Sequence, residues 1–113
     1  MADIKELLGK TLSEINVTDY EIYFRTNGNE AYKMLHFQDC CEDVSVEEFV
    51  GDIEDLINSP IMMAEEVSQL DEDAWGSGTW TFYKLGTIKG CVTIRWYGQS
   101  NGYYSESVSF IKD

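Results

Sequence analysis

Metal-ligand side chains crowd one short stretch of this chain: His36, Cys40, Cys41 and Glu42. Structural zinc sites use spacings of two to five residues so that each ligand turns inward, whereas adjacent cysteines point apart. With Cys91 the chain has three cysteines, which make no exported disulfide framework and read as thiols in a reducing compartment, with no metal and no cofactor. Gly98-Gln99-Ser100-Asn101-Gly102 has the letters of a nucleophile elbow. That motif needs a strand-to-helix turn with an acid and then a histidine downstream, and the one histidine, His36, lies upstream. Asp71-Glu72-Asp73-Ala74-Trp75-Gly76 opens like a calcium loop, but Trp75 and Phe82 stand where ligands are required. Acid pairs abound and none is singled out for paired-carboxylate catalysis, so we expect no enzyme.

The most distinctive chemistry lies further on, in Arg95-Trp96-Tyr97-Gly98 and the residues up to Glu106, with Trp75, Trp80, Phe82 and Tyr83 on nearby segments. An arginine among aromatics can hold a base or a phosphate by stacking and charge. Trp75, Arg95, Trp96, Asn101, Tyr103 and Tyr104 are therefore a candidate ligand pocket, for example for a nucleotide second messenger. The competing reading assigns alternate aromatics to the core and their neighbours to the outer face of a sheet.

Charge gives a second candidate surface. The chain carries 21 acidic and 8 basic residues, a formal net charge of −13, which argues against direct binding to nucleic acid or an anionic membrane. Residues 39–73 hold thirteen acids and no Lys or Arg. Apolar residues are interleaved with them, so the segment folds and presents its charge. Asp39, Glu42, Asp43, Glu47, Glu48, Asp52, Glu54, Asp55, Glu65 and Glu66 are the candidate partner-binding residues, either as a solvated face or as a surface for a basic protein.

These side chains must be positioned by a small number of elements. At 113 residues, of which 43% are hydrophobic and 13% aromatic, the chain is one domain, 1–113, with one core. No apolar run reaches the roughly 18 residues of a membrane span, and MADIKELLGK has no basic and apolar leader, so we expect a cytoplasmic protein. Asp3–Leu8 reads as a short helix stopped by Gly9. Thr11–Val17, Tyr20–Thr26 and Ala31–Phe37 read as strands, the last two joined at Asn27-Gly28. Ser45 and Glu48 form a capping-box pattern ahead of Phe49, Val50, Ile53, Leu56 and Ile57 at helical spacing, which predicts the main amphipathic helix. Ile61–Leu70 reads as strand or helix, with strand preferred, and Thr79–Leu85, Cys91–Tyr97 and Tyr103–Ile111 read as further strands. The expected class is α+β: an antiparallel sheet of about six strands with one main helix and a short N-terminal one.

The segments His36-x-x-Asp39-Cys40-Cys41-Glu42, Gly51-Asp52-Ile53-Glu54-Asp55-Leu56-Ile57 and Arg95-Trp96-Tyr97-Gly98-x-Ser100-Asn101-Gly102-Tyr103-Tyr104-Ser105-Glu106 resemble a family of small proteins encoded by phages and mobile elements. The chain is also similar to some acidic type II-A anti-CRISPR proteins, inhibitors of Cas9. That resemblance implies a non-enzymatic anti-defence protein in the host bacterial cytosol. Its partner would be a basic nucleic-acid-binding surface, such as Cas9 with its guide RNA. A nucleotide-binding sponge and a phage accessory or structural protein are the alternatives.

Overall fold

Strands dominate the computed structural model, which describes residues 2–38, 42–72, 76–100 and 106–113. Eight of them form two four-stranded antiparallel sheets. The first contains β1 (Leu12–Val17), β2 (Glu21–Thr26), β3 (Ala31–Leu35) and β8 (Ser109–Lys112), in the order β1-β2-β3-β8. The second contains β4 (Asp43–Val50), β5 (Met63–Leu70), β6 (Ser77–Thr87) and β7 (Gly90–Ser100), in the order β4-β7-β6-β5. The α+β expectation is thereby corrected: there are two sheets rather than one, and no main helix among the described residues.

The expected amphipathic helix is the edge strand β4 followed by a single 3-10 turn, Ile53–Leu56. Val44, Val46 and Phe49 turn inward and pair with Gly98, Trp96 and Ile94 of β7. Between them a bulge at Glu47 shifts the register and moves the inward positions from even to odd numbers. Gly51 then turns the chain with φ +107°, where a Cβ would sit 2.5 Å from the Cys91 carbonyl oxygen. The N-terminal helix is likewise one 3-10 turn, Ile4–Leu7. Asp3 caps it, accepting from the Lys5 amide at 2.9 Å while Glu6 reaches back to the Asp3 amide.

The β2–β3 hairpin falls where Asn27-Gly28 placed it, with Asn29 at φ +65° as the left-handed residue of a three-residue loop. Of the strand expected at Tyr103–Ile111 only the end is found, as β8; residues 106–108 are in no strand, and residues 103–105, like the second Asn-Gly, Asn101-Gly102, lie outside the described residues.

The inner faces of both sheets share one hydrophobic cluster. Ile22, Phe24, Tyr32, Met34 and Phe110 come from the first sheet; Val44, Tyr83, Leu85, Val92, Ile94 and Trp96 come from the second. Tyr32 stacks on Phe110 with ring centroids 5.2 Å apart. Three bridges, Leu8–Ile61, Thr11–Pro60 and Leu12–Ile57, fasten the link between β4 and β5 to the start of β1.

Candidate binding surface

The acidic segment supplies both edges of the second sheet. β4 carries Asp43, Glu47 and Glu48, all exposed, and the following turn carries exposed Asp52 and Glu54 and half-buried Asp55. β5, on the far edge, carries exposed Glu65 and Glu66. Two strands separate these edges, a distance of roughly 14 Å at ordinary strand spacing. The acids thus form two lobes on the two edges of the sheet, with Glu65 on the outer side of β5 and Glu66, opposite the buried Tyr83, on its inner side. Glu42 belongs to neither, being buried, and Asp39 lies outside the described residues.

Glu42 instead pairs with His36. Its Oε1 lies 2.9 Å from His36 Nε2, and the other ring nitrogen, Nδ1, lies 2.8 Å from the Ser107 carbonyl oxygen. A carbonyl only accepts, so Nδ1 carries a proton and the imidazole and carboxyl share the second one between them. This pair pins the crossing from β3 to β4 against the segment that leads into β8.

Glu106 pins the same segment from the other side. Its buried carboxylate accepts from Ser77 Oγ at 3.2 Å, Thr79 Oγ1 at 2.7 Å and Ser100 Oγ at 2.5 Å. Gly98 makes room for it: a Cβ there would stand 2.6 Å from the Glu106 carbonyl oxygen. Ser100 is therefore a buried donor on a strand, which removes the nucleophile-elbow geometry.

Burial pushes the Glu106 carboxyl up, but hydrogen bonds from Ser100, Thr79 and Ser77 outweigh it and hold the group below its ordinary value. A carboxyl depressed in the folded state stabilises above its unfolded pKa, about 4.3, and that contribution disappears as pH falls through the lower folded value. We expect Glu106→Gln to cost about 1.5–3 kcal/mol at pH 7, from the lost charge-assisted hydrogen bonds. It should also shrink the loss of stability in acid, as read from urea midpoints between pH 5 and 2. An acid limb identical to that of the parent protein would count against this role. Glu30, held down to about 2 by the Lys10 and Lys112 ammonium groups, supplies a separate part of that limb.

The candidate ligand pocket is not assembled as the sequence reading drew it. Arg95 and Trp96 are neighbours on β7 and face opposite ways: Trp96 is fully buried in the core, while Arg95 is on the outer face. Trp75, Asn101, Tyr103 and Tyr104 lie outside the described residues.

What the outer face does assemble is an aromatic platform. Trp80 and Phe82, two apart on β6, stand opposite Tyr97 and Arg95, two apart on β7. The Arg95 guanidinium lies 4.8 Å from the Trp80 ring centre and 5.7 Å from that of Phe82, and it also pairs with Glu48 on β4. Trp80 packs against Tyr97 at 4.6 Å. The Tyr97 hydroxyl donates to Asp71 Oδ2 at 2.8 Å, and burial together with that carboxylate pushes the phenol up. Beside the platform runs an open cleft of about 660 Å³, bounded by Gln69, Leu70, Asp71, Glu72, Trp80, Phe82 and Arg95.

Sequence reasoning named Trp80 and Phe82 only as neighbours and missed Tyr97, Asp71 and Glu72 as parts of one site. The signal was parity. Residues two apart on a strand share a face, so Arg95 goes with Tyr97 and not with Trp96.

Among the described residues no helix is long and apolar enough to cross a membrane. No curated protein sequence and no solved structure matches the chain. A family model matches residues 5–110, nearly the whole length, and by that match the chain belongs to the family described as a domain of unknown function, DUF7448.

Proposed function

We propose that this protein is a non-enzymatic binding protein of phage or mobile-element origin. In this reading it acts in the host cytosol by docking its acidic edges on a basic, nucleic-acid-binding surface of a host nuclease such as a Cas9–guide complex. The observation that carries the reading is the concentration of thirteen acids, without Lys or Arg, in residues 39–73. Most of those described are solvent-exposed, on the two edge strands of one sheet and the turn after β4. Unpaired like charge on a folded surface costs stability and repels nucleic acid, while it steers a positively charged partner into contact. Cas9 holds its nucleic acids in positively charged channels, which such a surface complements. A nucleotide ligand is less well served: the one arginine of the outer cleft is balanced by Glu48, leaving little positive potential for a phosphate.

The test is target-DNA binding by a type II-A Cas9–guide complex with and without this protein, across a salt series. The Debye length falls from about 10 Å at 0.1 M toward about 3 Å at 1 M, so inhibition should fade steeply over that range. Charge reversal at Glu47, Asp52 and Glu54, all exposed, should weaken inhibition on the order of tenfold or more at 0.1 M salt. Unimpaired DNA binding at every salt concentration would sink the nuclease-inhibitor reading, and salt-insensitive inhibition would sink its electrostatic mechanism.

A further inference from the structure

Four strands form the edges of the two sheets, and three of them are obstructed. β1 and β4 are each broken by a register shift, and the Asp19 carbonyl already takes the Val46 amide at the rim of β4. β8 is four residues long, and its Phe110 carbonyl already accepts from the Ala2 amide. Short length, bulges, Lys and Pro are the usual guards of a sheet edge, and β5 has none of them. Its eight residues run in unbroken register along β6 and include exposed Val67 and Leu70.

The register also fixes which backbone groups of β5 are spare. The Asp71 amide donates to the Gly78 carbonyl at 2.9 Å across the end of the ladder, so odd-numbered residues of β5 bond to β6 and even-numbered ones point away. The N–H and C=O groups of Glu66, Ser68 and Leu70 therefore face outward, with no backbone partner among the described residues. Beside them the inner face of the sheet is uncovered, and an open cleft of about 340 Å³ separates these three residues from Glu106 and Val108. Charge selects what can use this edge. Exposed Glu65, Glu66 and Glu72 lie along it, and β6 sets only Lys84 against them. A second copy of the chain, itself at −13, is repelled, whereas a basic strand is attracted.

We propose that β5 is the docking edge for an extended, basic segment of the partner, which joins the second sheet as a fifth strand. The added strand pairs with the backbone of Glu66, Ser68 and Leu70 and sets its cationic side chains beside Glu65 and Glu66. Main-chain bonds supply affinity in this mode of recognition, and the flanking side chains supply selection. This inference rests on the basic-partner reading above and deepens it.

The experiment titrates full-length protein at low salt with a blocked eight-residue peptide of alternating lysine and valine, followed by calorimetry and by NMR of the backbone amides. The amides of Glu66, Ser68 and Leu70 should shift and exchange more slowly with solvent, while those of Glu65, Val67 and Gln69, already turned to β6, change less. A counterpart of alternating glutamate and valine should bind weaker by about tenfold or more. Ser68→Pro removes an outward N–H that the ladder with β6 does not use, and should weaken binding about tenfold. Two peptides N-methylated at alternate residues, one in each phase, test the same point on the unaltered protein: only one of them should retain binding. Should both phases bind alike and the β5 amides stay unmoved, the edge assignment falls while the basic-partner reading stands. Absence of binding by the basic peptide at low salt overturns the edge assignment too, and the salt series on the nuclease complex judges the basic-partner reading separately. A dimer of the free protein that Ser68→Pro dissociates would give the edge to a second copy instead.

Discussion

Replacing Glu42 by alanine should cost about 1–3 kcal/mol, because it leaves the Nε2 of the enclosed His36 ring without its hydrogen-bond partner. The side chains of Glu42 and His36 are 0% and 5% exposed respectively. In a domain of this size the loss corresponds to a fall in Tm on the order of 10 °C. The cost is that of breaking a pair, since replacing both members of a buried pair by apolar groups is often close to neutral. Glu42→Leu combined with His36→Leu should therefore recover at least half of what Glu42→Ala loses, the remainder reflecting the Nδ1 hydrogen bond to the Ser107 carbonyl. Urea unfolding of the two variants is the measurement. A double variant no more stable than Glu42→Ala, or a Glu42→Ala cost below about 1 kcal/mol, would show that the pair does not hold this crossing together.

Trp96 should divide the cost of its removal between shape and polarity. It is the largest of the fully buried side chains in the common core, so Trp96→Ala leaves a cavity under β4 and should cost about 3–5 kcal/mol. Its indole N–H, however, is buried without a hydrogen-bond partner among the described residues, a burden of roughly 1–3 kcal/mol. Trp96→Phe gives up part of the ring but removes that burden as well, and should stay within about 1 kcal/mol of the parent. Near-equal losses for the two substitutions, measured by urea unfolding, would mean that the indole N–H finds a partner.

The strands were legible wherever alternation is unbroken. Glu21–Thr26, Ala31–Leu35 and the two long strands β6 and β7 all coincide with period-two segments read from the sequence. The main helix was misread for a physical reason that can be traced residue by residue. Val46, Phe49, Ile53 and Leu56 recur every three or four positions, as on a helix face. Here the spacing comes from three unrelated devices in succession: a bulge at Glu47, a left-handed glycine at Gly51 and a 3-10 turn at Ile53. Each adds a residue that period-two counting does not expect. Ser45 and Glu48 match a capping box in letters, but both are paired in the ladder, opposite Tyr97 and Arg95. The acidic candidates were legible as composition. Their division between two edges was not, because strand order depends on which segments pair across long stretches of sequence. The same holds for His36 and Glu42, six residues apart in the chain, and for Ser107, which completes their contact from far downstream.

In folding, β6 and β7 can meet first: their eleven-residue arms are joined by the two-residue turn Ile88-Lys89, and such hairpins close in about 1–10 μs. The pairings of β4 with β7 and of β3 with β8 must wait for distant chain. β4 reaches β7 with Asp43 opposite Gln99, and β3 reaches β8 with Tyr32 opposite Lys112, pairings of the kind that stretch folding to milliseconds or seconds. During that wait the protected edges are β4 and β5, which carry the acids that discourage a second chain from adding on. β3 has only Lys33 for that purpose, and until β8 docks it offers an open, largely uncharged edge. The time taken to place four residues, Ser109–Lys112, therefore sets how long that edge stays open to a second chain.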